Sequence, residues 1–414
     1  MKDSPLSIAK YVLSGFAITA VLVGAKIGVE DTSWGHRAED FTFELLQGGL
    51  SPFNPEEELP IVVVDISNIK ESKDQEIIDL VKLKEVVSAI AEQKPRAIAI
   101  DVILTPEPDS ENQTDSSVAD QRKLKENYFN FLAFCWQKIK QEKGIPIFLG
   151  VGERTVGKPE EWLGNETYKE MAVTLIIPRE ETTRLPIWFK ASPKSEKLFS
   201  PSAALAKAYQ KVQLPKSFAW AVESADEEFP GTERHLRENM EYADALVNYS
   251  KLEAIQQNKL LTISETSIRE SGEKFRNRMV ILGDGTKEKA VDVFIVAGRK
   301  EPVSGVYLHA SAAYTFAREP MYEFKSRVRL RLDFLLSALI IGCVAFARYR
   351  HLGKKKNYHW HKLQNWLVLG FLLSICLLAF LLVRYTGILW LDFVLVMFAL
   401  WLHPKVETKF FAAQ

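Results

Sequence analysis

Apolar residues are distributed so unevenly along this chain that their placement alone sets its layout. One apolar run covers residues 8–27, and three more crowd residues 332–347, 363–383 and 388–402. The stretch between the first and second runs has ordinary globular composition. A bilayer core needs about 20 apolar helical residues to cross it. The expected organisation is therefore a transmembrane helix within residues 1–30, a looped domain over 31–325, three transmembrane helices within 326–403 and a short cytoplasmic tail at 404–414. Lys10 and Lys26 stand near the ends of the first run, where their stems can snorkel. The same run also fits a cleaved secretory signal. Either reading exports the middle of the chain.

The loop over residues 348–362 carries Arg348, Arg350, Lys354, Lys355 and Lys356. Basic residues concentrate in short cytoplasmic loops, so this loop is placed inside. The N- and C-termini are then cytoplasmic and the large domain is extracytoplasmic or periplasmic. Lys325, Arg327, Arg329 and Arg331 oppose that assignment from the outer side. The five cations of the loop are candidate contacts for anionic lipid or a partner protein. Trp390 and Trp401 flank the last run as an interfacial aromatic belt would. Gly342, Gly370 and Ser374 are small or polar residues suited to helix–helix contacts, including contacts with a second copy of the chain.

The looped domain reads as α/β with a mainly parallel sheet. Pro60-Ile-Val-Val-Val-Asp-Ile66 is a continuous β-branched run, the pattern of a strand buried on both faces. A helical spacing follows over residues 81–93, and Lys94-Pro95 ends it. Arg96-Ala-Ile-Ala-Ile-Asp-Val-Ile-Leu104 is a second buried strand, completing a βαβ unit. Further expected elements are a helix over 115–141, a strand over 145–151, a short helix over 202–210, a strand over 278–283 and a helix over 305–318. Residues 152–271 show no clear periodicity. Cys135, the lone cysteine of this domain, has no partner for an internal disulfide and reads as a buried structural residue.

Lys and Arg together number 53, and Asp and Glu together 53. That balance gives no field to attract nucleic acid. His-x-x-Glu-His, a serine nucleophile elbow and a Walker A loop are all missing from the sequence. No catalytic residue, metal ligand or cofactor is therefore assigned. Asp65 and Asp101 are expected at the carboxyl ends of neighbouring strands, where ligands bind in open α/β sheets. Asp284 and Asp292 follow the late strand, and His309 opens the late helix. These five are the candidate ligand-binding residues. The alternative is that they cap strand ends and fix the helix start.

Three segments together resemble the CHASE2 family of extracytoplasmic sensor domains. Pro60-Ile-Val-Val-Val-Asp-Ile66 is similar to the family's opening strand, and Arg96 to Pro108 to its second strand and acidic turn. Met279-Val-Ile-Leu-Gly283, Asp292 and Pro302-Val-Ser-Gly-Val-Tyr-Leu-His-Ala310 resemble its closing segment. One helix before the domain and three after it match the family's layout. The resemblance implies a membrane-anchored sensor of an unknown extracytoplasmic ligand. Family members are usually fused to an output module, and here the expectation is action through a separate signalling or effector protein. A structural membrane scaffold and a metal-dependent ectoenzyme are the alternatives.

Overall fold

The computed structural model describes residues 9, 12–21, 24, 41–46, 59–72, 75–104, 118–141, 144–151, 166–177, 181–192, 194–209, 220–222, 229, 233–237, 240–257, 262–286, 293–296, 301–351, 357–390 and 397. They fall into two compact units, one of residues 51–216 and 224–321, the other of 1–50, 217–223 and 322–414.

The first unit is built on a six-stranded parallel sheet. Its strands are β1 (Ile61–Asp65), β2 (Ala97–Ile103), β3 (Ile147–Val151), β4 (Ala172–Thr174), β9 (Thr262–Ser264) and β10 (Met279–Gly283), in the spatial order β9-β1-β10-β2-β3-β4. The β-branched runs form strands here because both faces are covered. Val62, Val64, Ile98, Ile100, Val280 and Leu282 face helices α1 (Leu80–Glu92) and α2 (Val118–Lys140), in one core with Leu83, Phe131 and a fully buried Cys135. Ile61, Val63, Ala97, Ala99, Met279 and Ile281 face the other way, in a core with α3 (Pro201–Tyr209), α4 (Leu252–Gln257) and α5 (Gly305–Arg318). The α/β class with a parallel sheet is thus as expected, and each element lies within three residues of its sequence position.

Local signals explain the boundaries. Asp79 caps α1 by accepting from the backbone N–H groups of Val81 at 3.0 Å and Lys82 at 3.1 Å. Lys94 stands just after α1 at φ 58°, the left-handed turn that lets the chain reverse into β2. The stretch without periodicity holds a second, antiparallel sheet of β5 (Arg184–Lys190), β6 (Leu198–Phe199), β7 (Glu233–Arg237) and β8 (Met240–Leu246), ordered β7-β8-β5-β6.

One expectation about the sheet is corrected. β1 and β2 are not neighbours, because β10 pairs in parallel with both and lies between them. The α1 crossover therefore skips one strand position, and the strand of this sheet that comes last in sequence fills the gap.

Among the described residues of the second unit, two helices are long and apolar enough to cross a membrane: the spans Ser326–Ala347 in α6 (Ser326–His351) and Trp366–Thr386 in α7 (Asn357–Thr386). Four such helices were expected. The N-terminal apolar helix is shorter, Val12–Val21, and most of residues 388–402 lies outside the described residues. Ile388–Leu389 is not helical; it forms a short strand parallel to Tyr322–Glu323. Backbone pairing with Tyr322 holds it extended, so the turn after α7 is part of a small layer at the start of α6.

Polar burial ties that layer to the helix. Trp390 is fully buried and donates its indole N–H to Asp333 Oδ1 at 2.9 Å, rather than lying in an exposed aromatic belt. Gly15 is the close-approach glycine: a Cβ there would stand 2.8 Å from Ile341 Cδ1. At Gly342 and Gly370 an added Cβ would meet nothing within 4 Å, so they form no tight helix contact among the described residues. Replacing Asp333 by Leu leaves the Trp390 donor buried without its acceptor. The expected loss is about 1–3 kcal/mol, read as a lower thermal midpoint in detergent, and Asp333→Asn, which keeps an acceptor oxygen, retains most of it.

Candidate functional site

The strand register brings Asp65, Gly283 and Asp101 into one row across β1, β10 and β2. Side chains alternate along a strand, so all three face the side covered by α5. Asp65 and Asp101 are then two strand spacings apart, about 10 Å between backbones, with a residue lacking a side chain between them. The glycine is required by packing. A Cβ at Gly283 would lie 2.7 Å from Val306 Cγ2 and 3.3 Å from Asp101 Cβ. The first turn of α5 thus rests directly on the sheet, and the row of carboxylates flanks its N-terminus.

Asp65 is held by two strand-end turns, its own and the one after β10. Its Oδ1 accepts from the N–H of Ser67 at 3.0 Å and of Gly285 at 3.1 Å. Gly285 is also confined, since a Cβ there would come within 3.1 Å of both Asp65 Cγ and the Tyr307 hydroxyl. Burial raises the Tyr307 pKa, and the Asp65 charge adds to the effect, while a hydrogen bond with Thr262 opposes it. Asp284 closes a local turn by accepting from the backbone N–H of Thr286 at 2.9 Å and its hydroxyl at 2.5 Å. Ser304, at the start of α5, donates to the Asp284 carbonyl. These contacts are the strand-end capping that the alternative reading anticipated.

Asp101 differs. It sits beside the β2–β3 register shift between Ile100 and Ile103, and the alternation that buries Ala97 and Ala99 carries its side chain inward. Its side chain is 3 % exposed, with Oδ1 3.8 Å from His309 Nε2 and Oδ2 buried without a hydrogen-bond partner among the described residues. On its other side His309 shares a hydrogen bond of 2.9 Å between Nδ1 and Ser202 Oγ. Burial disfavours the charged carboxylate and pushes the Asp101 pKa from 3.8 up to about 7. The result is a buried polar array, Asp101–His309–Ser202, joining β2, α5 and α3. Ser202 is fully buried, so its hydroxyl has no route to a substrate in this conformation. The array can hold and share a proton, and it links the sheet edge to two helices.

Of the five candidate residues, Asp65, Asp101, Asp284 and His309 gather around the first turns of α5, while Asp292 lies outside the described residues. Arg348 and Arg350 belong to α6, though the placement of their side chains is outside the description, as are Lys354, Lys355 and Lys356 altogether. Among the described residues, no three of His, Cys, Asp and Glu converge as metal ligands would. Sequence reasoning missed Ser202, Tyr307 and Thr262. The signal for Ser202 was the small-residue composition of both helices, Pro201-Ser-Ala-Ala-Leu-Ala and His309-Ala-Ser-Ala-Ala, which lets α3 and α5 pack closely.

Two outcomes follow. Gly283→Ala drives a methyl into Val306 and costs about 1–3 kcal/mol; Gly283→Ala with Val306→Ala recovers part of that loss, as chemical denaturation of the two variants measures. The raised Asp101 pKa makes its folded-state contribution most favourable below pH 4, where folded and unfolded forms are both protonated, and least favourable above pH 7. The stability of Asp101→Asn relative to the native chain therefore rises as pH increases from 4 to 7. A difference that stays constant across that window contradicts the assignment.

The family model of the CHASE2 domain matches residues 16–345. No curated protein and no solved structure gives a match to the chain. The match runs from the N-terminal apolar helix, through the parallel sheet and its polar edge, and ends within the first candidate span. The chain belongs to the CHASE2 domain family, a family of extracytoplasmic sensor domains.

Proposed function

We propose that this protein is a membrane-anchored sensor whose looped domain receives a ligand or partner at the polar edge of the parallel sheet and signals through a separate effector protein. The observation that carries this reading is the family match over residues 16–345, which covers domain and candidate span as one continuous block. The physical route is short. Tyr307 and His309 lie in the first turns of α5, and only residues 319–325 separate the end of α5 from the start of α6. A ligand that binds one position of α5 better than another shifts the populations of the two, and this difference is what can be transmitted. In this proposal both termini and the basic loop are cytoplasmic. Arg348, Arg350, Lys354, Lys355 and Lys356 then contact the effector or anionic lipid.

A scaffold that recruits another protein without any ligand is the second reading. One observation favours it: Asp65 and Asp284 already accept from backbone N–H groups of the two strand-end turns, those of Ser67, Gly285 and Thr286. The two readings separate in one experiment. The tagged full chain is purified gently from its native membranes and its partner identified by mass spectrometry. Replacing Lys354, Lys355 and Lys356 by Gln reduces capture in both readings. Replacing Tyr307 by Phe changes capture at equal abundance only if the domain senses. Capture indifferent to Tyr307→Phe and to Asp65→Asn overturns the sensor reading.

A further inference from the structure

Residues 220–222 fold with the second unit, although the looped domain continues on both sides of this segment. Their position is fixed by backbone pairing. The Lys325 N–H donates to the Ala221 carbonyl at 2.8 Å, and Val222 forms an antiparallel bridge with Phe324. Lys325 immediately precedes the span Ser326–Ala347. At the end of the other span, the Gly387 carbonyl accepts from the Tyr322 N–H at 2.8 Å. One hydrogen-bonded layer therefore marks the same end of both spans.

Large amphipathic side chains project from this layer. Trp220 is 68 % exposed and Tyr385 is 80 % exposed. Arg327 and Arg331 are exposed, and their spacing of four residues sets them on one helix face. The acidic residues at this level, Glu323 and Asp333, are buried. Among the described residues at this level the exposed charge is thus positive, and it lies at the polar end of an apolar hairpin that also carries exposed Trp220 and Tyr385. Trp and Tyr settle at headgroup depth, and guanidinium groups match phosphate oxygens.

We propose that Trp220, Tyr385, Arg327 and Arg331 form a collar that binds anionic phospholipid headgroups in the leaflet on the domain's side. The proposal rests on the reading that α6 and α7 cross a bilayer. Residues 220–222 are then a second membrane attachment of the looped domain, far in sequence from its two ends. The collar also accounts for two of the basic residues that opposed the topology: Arg327 and Arg331, in the first turns of α6, engage phosphate, and Arg329, which is buried, is not part of that charged surface.

The test uses the full chain in nanodiscs of phosphatidylglycerol or of phosphatidylcholine, and of the same lipids brominated close to the glycerol backbone. The chain has nine tryptophans, so the Trp220 signal is taken as the difference between the native chain and Trp220→Phe. The collar predicts strong quenching of that difference signal by shallow bromines. It also predicts that the chain retains phosphatidylglycerol over phosphatidylcholine, counted by native mass spectrometry, and that Arg327→Gln with Arg331→Gln weakens this preference by roughly fivefold per arginine. Alkaline extraction of the same variants from membranes reports spanning separately. Retention in the membrane with an unquenched Trp220, or with Trp220 covered by a co-purifying protein, overturns the collar alone. An unchanged lipid preference in the arginine variant does the same. Release of the native chain by alkali overturns the collar together with the spanning reading.

Discussion

The contact on which the rest of this arrangement depends is the seating of the first turn of α5 on Gly283. A side chain at that position would collide with Val306 at 2.7 Å. Without one, the helix comes down onto the sheet and brings Tyr307 to Asp65 and His309 to Asp101. The late strand that carries Gly283 is also the one inserted between β1 and β2. A single strand thus completes the sheet, separates the two carboxylates and supplies the space for the helix. Because parallel strands need helices on both faces, this seating is also what closes one of the two cores.

The polar edge so formed has two parts with different physics. Asp65 accepts from Ser67 of its own turn and from Gly285 of the turn after β10, and Asp284 accepts from Thr286 of its own turn. Asp101 is buried with one oxygen lacking a partner among the described residues, and the cost of that burial appears as a pKa pushed up to about 7. His309 and Ser202 extend the array into two helices. A buried group of this kind is expensive unless it does something, and perturbed groups gather at functional sites more often than elsewhere.

Much of the fold was legible because buried parallel strands advertise themselves. Ile61–Asp65, Ala97–Ile103 and Met279–Gly283 are near-continuous β-branched or small apolar runs, and α5 has clear ends. Their order in the sheet was not legible, since strands of the same composition pair equally well in any order. The edge strand Thr262–Ser264 is three residues long and has no pattern to read. The antiparallel sheet was hidden for a similar reason: Leu198–Phe199 is a two-residue strand, and Arg184–Lys190 is buried through its middle instead of alternating. Four of the five candidate residues converge, yet their internal partners depend on register, which the sequence does not carry. The role of Trp390 was likewise set by a distant residue, Asp333.

The central claim of the proposed function is that the sheet edge is coupled through α5 to the candidate span that follows it in the chain. Hydrogen exchange on the full chain in nanodiscs tests it most directly, comparing the native protein with Val306→Ala, which loosens the seating on Gly283 without touching a polar group. Coupling predicts faster exchange in the first turns of α5 and also across residues 319–331. A change that stops at Arg318, with residues 319–331 exchanging as in the native chain, would contradict it.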